Sequence, residues 1–233
     1  QLKQNFSFIA GQYITLKTVI NGEEVRRDYS LCSSPKSGEL TVAVKEVEHG
    51  TFSKYANNTL KEGDAIDVAE PQGRFTFTPD SSKTRTVAAF AAGSGITPVL
   101  SIAKTVLEEE PNSTFILVYG NKTSEDTIFF NELLKLHHNY KDRFYIKFVF
   151  SQAQEPDALF GRIEKSTVNL IVKNKYKHTT IDAFYLCGPE AMIHTVKDVL
   201  TQNNISKDRV FFELFKVAKT EQAIENSVNK GET

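Results

Sequence analysis

Two short motifs in the second half of the sequence have residue types that bind phosphate groups. The first, Gly93-Ser94-Gly95-Ile96-Thr97-Pro98, directly follows an apolar run that ends at Ala92. Glycines let a backbone approach a phosphate closely, and the free amides of a following helix start attract anions. Thr97 is expected to cap a helix that begins at Pro98. Because Pro98 stands where the dinucleotide fingerprint has its third glycine, a purely structural turn remains an alternative to nucleotide binding.

The second motif, Leu186-Cys187-Gly188-Pro189, also joins an apolar strand to a helix start. A small, polarizable thiol at the tip of a strand can pack against a flat ring. Taken alone, however, these residues are better explained by a buried structural cysteine before a Gly-Pro helix start.

The first half of the sequence contains two further candidates. Arg27-Asp28-Tyr29-Ser30 ends a predicted strand, where an arginine suits a pyrophosphate, a tyrosine can stack on a ring and a serine can bond a ring nitrogen. Gly50-Thr51-Phe52-Ser53 begins a short helix and offers free amides to a phosphate. An ordinary amphipathic strand and a capped surface helix are the alternatives.

Composition excludes several other functions. The formal net charge is −1 and the pI about 6.6, whereas a nucleic-acid surface normally shows a basic excess. No apolar run approaches the roughly 18 residues of a membrane span. Cys32 and Cys187 are the only cysteines, which excludes an iron–sulfur cluster held by four thiolates and suits a reducing cytoplasm. No Ser–His–Asp arrangement or metal-ligand cluster stands out, since His137 and His138 are adjacent and diverge.

The predicted elements divide the chain into two units. Residues 11–79 predict an antiparallel barrel or sandwich, with strands near 12–20, 23–32, 40–47, 65–70 and 73–78 and a helix at 52–58. Asn21-Gly22 predicts the first hairpin. Residues 84–214 alternate strand and helix and predict a doubly wound α/β parallel sheet, with ligand at the carboxyl ends of its strands. Its strands are expected at 86–92, 114–119, 144–150, 182–187 and 209–214, and its helical segments at 98–110, 125–139, 163–173 and 190–203. The boundaries are expected at 1–81, 82–215 and a linker, 216–233.

In combination, these motifs resemble the ferredoxin–NADP reductase superfamily. The four motifs above and Glu213-Leu214-Phe215 occur in the family order, and the resemblance covers about residues 6–215. The chain is most similar to the reductase components of phenylacetyl-CoA oxygenases, through the stretches 8–13, 42–45, 118–123 and 211–215. In that group a 2Fe–2S ferredoxin domain usually follows a linker. The resemblance therefore implies an antiparallel β-barrel FAD-binding domain without its N-terminal strand, then an NAD(P)-binding α/β domain, with the ferredoxin domain absent from this chain.

The resemblance also implies a role for each site residue. Ser30, Thr97, Cys187 and Glu213 would form the catalytic group around the flavin and nicotinamide rings. FAD would contact Arg27, Tyr29, Ser30, Val44, Lys45, Gly50, Thr51, Phe52, Ser53, Thr97 and Phe215. NAD(P)H would contact Gly93, Ser94, Gly95, Pro98, Asn121, Lys122, Ser151, Cys187, Gly188 and Pro189.

The implied function is hydride transfer from NAD(P)H to FAD, followed by single-electron transfer to a 2Fe–2S domain and then to an oxygenase or another acceptor protein. FAD rather than FMN follows from the resemblance alone. Gln152 stands where NADPH-using relatives carry an arginine, but Lys122 or Arg162 can meet a 2′-phosphate, so NADPH is slightly favoured over NADH. The alternatives are a stand-alone flavin reductase, a flavohaemoglobin-type module and a non-catalytic nucleotide-binding module.

Overall fold

A tight hairpin begins the N-terminal unit of the computed structural model, which describes residues 6–215. Strands β1 (Tyr13–Ile20) and β2 (Glu23–Ser30) pair antiparallel, and β3 (Asp67–Val68) pairs with the other side of β1. Asn21 and Gly22 both have positive φ, as the predicted hairpin turn requires. Helix α1 (Thr51–Asn58) and a 3₁₀ turn (Pro35–Ser37) complete this unit. The predicted linker, 216–233, lies outside the described residues.

Three of the predicted strands of this unit are shorter than expected. The segment 40–47 contributes one isolated bridge, Leu31 with Val42, and 73–78 contributes one, Ala10 with Phe77, while 65–70 reduces to β3. For the first segment the reason is side-chain competition. Asn57 donates to the carbonyl of Val44 (3.2 Å), and the hydroxyl of Ser53 accepts from the amide of Val47 (3.2 Å). These main-chain groups therefore bond to α1 and not to a neighbouring strand.

The second unit is a six-stranded, fully parallel sheet in the order β7-β6-β5-β4-β8-β9. Its strands are β4 (Thr86–Ala92), β5 (Thr114–Asn121), β6 (Phe144–Phe150), β7 (Leu159–Phe160), β8 (Ala183–Cys187) and β9 (Val210–Glu213). Its helices are α2 (Ile96–Glu109), α3 (Phe130–Asn139), α4 (Lys165–Asn169) and α5 (Glu190–Gln202), and a π-helix (Leu170–Lys175) extends α4. The chain builds outward from β4 through β7 and then returns to β8. The crevice of this doubly wound sheet is therefore expected between β4 and β8.

Two predicted helices of this unit begin at other residues. A 3₁₀ turn (Gly93–Gly95) precedes α2, so α2 begins at Ile96, and Thr97 is its second residue and not its cap. The helix predicted over 125–139 begins only at Phe130, because Phe129 has φ +62°. Before it, Thr123 bonds Asp126 through side chain and backbone. Such local hydrogen bonds compete with helix formation.

Helix α2 joins the two units. One face of the sheet packs on α2 and α3, and the other packs on α4 and α5. The outer side of α2 contacts the segment after β2: the Ser101 hydroxyl donates to the carbonyl of Ser33 (2.7 Å), and Lys104 donates to the carbonyl of Cys32 (3.2 Å). A further hydrogen bond between the two units runs from the hydroxyl of Tyr185 to the carbonyl of Thr76 (3.0 Å). These hydrogen bonds fix the end of β2 relative to the end of β4.

Candidate functional site

The two glycine motifs of the second unit are in direct contact. Ala91 of β4 pairs with Cys187 of β8, so Gly95 and Gly188 follow neighbouring strand ends. A Cβ atom on Gly95 would lie 2.2 Å from the carbonyl oxygen of Cys187 and 2.8 Å from the amide nitrogen of Gly188. Only glycine permits so close an approach of the two backbones. The predicted turns therefore meet at the crevice of the sheet, where open α/β folds bind their ligands.

The glycine turn is supported from below by Tyr119. This side chain is fully buried on β5, and its hydroxyl donates to the carbonyl of Gly93 (2.9 Å). Burial raises the pKa of Tyr119, so the phenol stays protonated and keeps its donor. Tyr119 lies within a stretch that supports the family resemblance, yet sequence reasoning gave it no role. Its signal would have been a tyrosine in a strand of otherwise apolar residues, whose hydroxyl needs a buried partner.

Thr97 lies at the start of α2, and its side chain is 5% exposed. Its hydroxyl donates to the carbonyl of Ser94 (3.0 Å), within the turn itself. The prediction that Thr97 caps a helix beginning at Pro98 was wrong, because Gly95 holds the N-cap position and Pro98 is the third helical residue. The proposed place of Thr97 beneath a flavin remains a prediction.

Cys187 and Glu213 form a buried pair of strand ends. They are register partners in β8 and β9, and Cys187 is fully buried. Burial, and then the nearby Glu213 carboxylate, raise the pKa of the Cys187 thiol, so it is neutral over the physiological range. The thiol therefore lacks the thiolate character of a nucleophile, and its role in placing the nicotinamide remains a prediction.

The carboxyl of Glu213 is the unusual ionisable group of this site. Its Oε2 atom is buried and has no hydrogen-bond partner among the described residues. Burial raises the pKa of Glu213 to about 7. Buried polar atoms normally have partners, so an orphaned oxygen at a strand end indicates a ligand donor. Phe215, two residues later, is 40% exposed and free to contact a flat ring.

Asn121 ends β5 and is the second orphaned polar group. Its buried Nδ2 atom lies close to the hydroxyl of Tyr119 but makes no hydrogen bond of good geometry within the part of the chain that the structure describes. Its carbonyl accepts from the amide of Ser151 (3.0 Å), and the carbonyl of Lys122 accepts from the amide of Gln152 (2.9 Å). Asn121, Lys122 and Ser151, predicted together from the resemblance, therefore lie together at the carboxyl ends of β5 and β6.

The end of β2 presents its predicted residues on two faces. Arg27 and Tyr29 share one face because side chains alternate along a strand, and Ser30 is on the other and buried. The Tyr29 ring packs on Phe52 of α1, with ring centroids 5.5 Å apart. Burial raises the pKa of Tyr29, and the charge of Arg27 opposes that shift. Arg27 is exposed and, among residues 6–215, donates only to the carbonyl of Arg26 (2.7 Å), so its remaining donors are available to an anion.

Helix α1 brings the Gly50 motif next to these residues. Gly50 holds its N-cap position without a side-chain cap, and a Cβ there would lie 2.3 Å from the hydroxyl oxygen of Ser53. The first amides of a helix have no partner within it, so they are available to an anion. Val44 is half-buried beside α1, and Lys45 is exposed. Arg27 and the start of α1 thus form one candidate phosphate-binding surface.

These residues fit the cofactors that the resemblance implies. Two buried atoms without a hydrogen-bond partner among the described residues, on Asn121 and Glu213, lie at the carboxyl ends of β5 and β9, the edge of the sheet where a nicotinamide nucleotide would need polar partners. In the N-terminal unit, the guanidinium of Arg27, which makes no ion pair with a described residue, and the open start of α1 supply the chemistry of a pyrophosphate site. Among residues 6–215 no group of three or more His, Cys, Asp or Glu side chains is arranged to hold a metal ion. No helix in the same range has the length and apolar character needed to cross a membrane.

Comparison with known proteins agrees with this geometry. The model of an oxidoreductase FAD-binding domain matches residues 1–77, and that of an oxidoreductase NAD-binding domain matches residues 90–198. The chain is 37% identical over 229 residues to a subunit of the 1,2-phenylacetyl-CoA epoxidase of Escherichia coli K12, covering 98% of this chain and 64% of that protein. It is 30% identical over 210 residues to a flavohemoprotein of Candida albicans, covering 87% and 50%. A cytochrome P450 reductase structure from Amycolatopsis superimposes with a TM-score of 0.77 at 25% identity, covering 91% and 62%.

The fold and the two domain matches define an oxidoreductase chain that binds FAD and NAD. It belongs to the ferredoxin–NADP reductase family, and the predicted order of an antiparallel unit before a doubly wound parallel sheet is confirmed. The chain spans between 50% and 64% of the length of the two curated relatives named above.

Proposed function

We propose that this chain is the part of an electron-transfer reductase that binds FAD and NAD(P)H and supplies a separate acceptor. The FAD unit would comprise residues up to 81, and the NAD(P)H unit residues 82–215. Bound FAD would supply the redox chemistry: it would take up a hydride, two electrons and a proton, from NAD(P)H and would release the two electrons singly to the acceptor. The observation that carries the proposal is the contact of Gly95 with the Cys187–Gly188 backbone at the crevice of the sheet, beside the orphaned carboxyl of Glu213.

In the N-terminal unit the residues bind and orient. Arg27 and the amides at the start of α1 would hold the pyrophosphate, because they offer a charged fork and unpaired N–H donors on one surface. Tyr29, fixed by Phe52, would pack on the isoalloxazine, and the buried hydroxyl of Ser30 would bond a ring nitrogen. Val44 and Lys45 would lie along the remainder of FAD, and Phe215 would cover the ring from the other unit.

In the second unit the residues align the two rings and hold a proton. Gly93 to Pro98 would carry the nucleotide phosphates, and Asn121 Nδ2 would find its missing acceptor on the nucleotide. The neutral Cys187 thiol would set the nicotinamide ring in place without competing as a nucleophile. Burial raises the pKa of Glu213 to about 7, so both protonation states are accessible near neutral pH and the carboxyl can donate or accept a hydrogen bond there.

The acceptor is proposed from the relatives. The names of two of them, a phenylacetyl-CoA epoxidase subunit and a cytochrome P450 reductase, place both in oxygenase systems. We infer an oxygenase acting on phenylacetyl-CoA as the last acceptor and, from the family resemblance stated above, a 2Fe–2S domain as the first. A flavohaemoglobin-type reductase is the second candidate, because a flavohemoprotein matches 87% of the chain. The nucleotide is proposed as NADPH, since Lys122 and Arg162 are exposed and make no ion pair with a described residue.

The deciding experiment is an absorbance spectrum of the purified chain, reconstituted with FAD and then treated anaerobically with NADPH or NADH. Flavin bands that bleach on addition are expected, and the nucleotide that bleaches them faster identifies the donor. A chain that holds no flavin after reconstitution, or holds flavin that neither nucleotide bleaches, contradicts the proposal.

Two variants assign the roles. Arg27→Ala is expected to lose FAD, whereas Arg26→Ala, whose guanidinium pairs with Glu24 (2.7 Å), is expected to retain it. Cys187→Ala is expected to retain FAD and to slow flavin reduction in stopped flow, because the thiol orients the rings and does not hold the pyrophosphate. Full flavin content in Arg27→Ala, or an unchanged reduction rate in Cys187→Ala, would remove that residue from the site.

A further inference from the structure

The crossover between β7 and β8 has an uneven charge. Residues 165–181 contain four lysines and a histidine and no aspartate or glutamate, in a chain whose net charge is −1. The stretch forms α4, the π-helix and the turn after it. Its apolar side chains, including Val168 and Ile171, are buried against the sheet, so the lysines lie on the outer side.

Four lysines of this region form what we term the basic surface: Lys147, Lys173, Lys175 and Lys177. The last three are exposed, and none of the four makes an ion pair with a described residue. Lys147 donates to the main-chain carbonyl of Asp157 (2.7 Å) and not to its carboxylate. Burial, and then the charge of Lys147, lower the pKa of Lys175, which places these two cations close together. Unneutralised like charges repel one another, and an external anion would relieve that repulsion.

A cleft opens beside the basic surface, between the π-helix and the end of α5. Its lining is mixed: Val172 and Ile205 are apolar, Tyr176 and Asn203 carry polar groups, and Lys173 and Lys177 carry charges. The volume is about 320 Å³, at the small end of the range for ligand pockets. A cleft of this size, with a tyrosine and two cations in its lining, suits one aromatic side chain with acidic neighbours.

The cleft is separate from the candidate cofactor site. Phe184 lies near the beginning of β8, and Cys187 ends it, so the strand sets the two sites roughly 10 Å or more apart at about 3.3 Å per residue. A molecule on the basic surface would leave the strand-end crevice open. The basic surface contains lysines and no arginine, and arginine is the commonest reader of nucleic-acid bases, which favours a protein partner.

We propose that the basic surface and its cleft form a docking site for an acidic segment of a partner protein, which places one aromatic side chain in the cleft beside Tyr176, Asn203 and Ile205. The lysines attract the acidic residues that flank that side chain, and the cleft sets the register of the segment. The site is distinct from the residues proposed to bind FAD and NAD(P)H.

The test uses the complete 233-residue chain and a fluorescent oligoglutamate peptide with one central phenylalanine. Fluorescence anisotropy is expected to show binding that weakens as salt rises to about 0.5 M, since screening shortens the range of surface charges. Lys173→Glu/Lys177→Glu is expected to weaken binding about tenfold, because two attractions become repulsions. The control, Lys36→Glu/Lys61→Glu, makes the same change in net charge at exposed positions elsewhere and is expected to stay within about twofold.

Other outcomes would overturn the proposal. Equal affinity in the Lys173/Lys177 variant and the control would show that the peptide senses net charge alone. Equal affinity for a peptide of glutamates alone would show that no side chain is seated in the cleft. Tighter binding of phosphatidylglycerol vesicles or duplex DNA, lost in the same variant, would assign the surface to a different partner. Lys173→Gln/Lys177→Gln, which only removes the charges, is expected to bind with intermediate affinity.

Discussion

Gly95→Ala tests the contact on which the candidate site depends. Gly95 has φ −61° and ψ −7°, which alanine adopts readily. At a position whose backbone conformation alanine can adopt, replacing glycine by alanine stabilises a protein by about 0.4–1 kcal/mol, because the unfolded chain has less conformational freedom. If nothing opposed the new methyl group, the variant would therefore be as stable as the wild type or slightly more stable.

The structure predicts the opposite sign. The new Cβ would lie 2.2 Å from the carbonyl oxygen of Cys187, more than about 1 Å closer than an unstrained contact. Both partners are backbone atoms, so no side-chain rotation relieves the overlap. Overpacking of this kind costs about 1–3 kcal/mol. A displacement of about 1 Å at a reacting site can also slow a reaction about 100-fold.

Urea unfolding at neutral pH measures the first effect, and anaerobic stopped-flow reduction of the FAD-loaded chain by NADPH measures the second. Gly38→Ala is the matched control. Its φ of +71° strains alanine by about 1 kcal/mol, but a Cβ there meets no atom within 4 Å. We expect Gly38→Ala to lose stability and keep its reduction rate, and Gly95→Ala to lose both. A Gly95→Ala chain with wild-type stability and wild-type reduction would refute the steric argument.

Three further substitutions test the ionisable and hydrogen-bonded groups. Glu110→Gln is expected to lower the free energy of unfolding by about 2–4 kcal/mol at pH 7. Burial opposes ionisation of the Glu110 carboxyl, but hydrogen bonds from Arg85 and Ser113 lower its pKa below 4.5. That stability is present above pH 4.5 and is lost as pH falls through the lowered pKa, so urea unfolding should show the deficit shrinking in acid; a constant deficit would contradict it. Burial raises the pKa of the Glu213 carboxyl to about 7, so the wild type should lose stability as pH rises from 4.5 to about 7. The Glu213→Gln variant should not show this loss. Melting temperatures at pH 5 and pH 8 measure this, and parallel pH profiles would argue against a buried carboxyl. Tyr119→Phe should cost about 1–2 kcal/mol, because it leaves the carbonyl of Gly93 without its donor; unchanged unfolding would show that water replaces the bond.

The elements that local sequence controls were predicted well. The Asn21-Gly22 hairpin and the apolar strand β4 formed at the expected residues, because turn chemistry and side-chain burial act over a few neighbours. The predicted elements were wrong where a side-chain hydrogen bond or a local backbone conformation overrides the hydrophobic pattern. The segment 40–47 loses its main-chain partners to Asn57 and Ser53, and Phe129 delays the start of α3. Neither effect can be recognised from the hydrophobic periodicity of the sequence.

For the site, the sequence by itself determined which strand ends carry glycine, cysteine and polar residues, and the order of these motifs indicated the family. Only the tertiary structure decided which ends meet. Gly95 contacts Cys187 because β4 and β8 are neighbours at the point where the strand order reverses. The same arrangement leaves Asn121 and Glu213 with buried, unpaired atoms and places Tyr119 beneath Gly93. These properties depend on contacts between residues tens of positions apart, and local propensity and periodicity carry no information about such contacts.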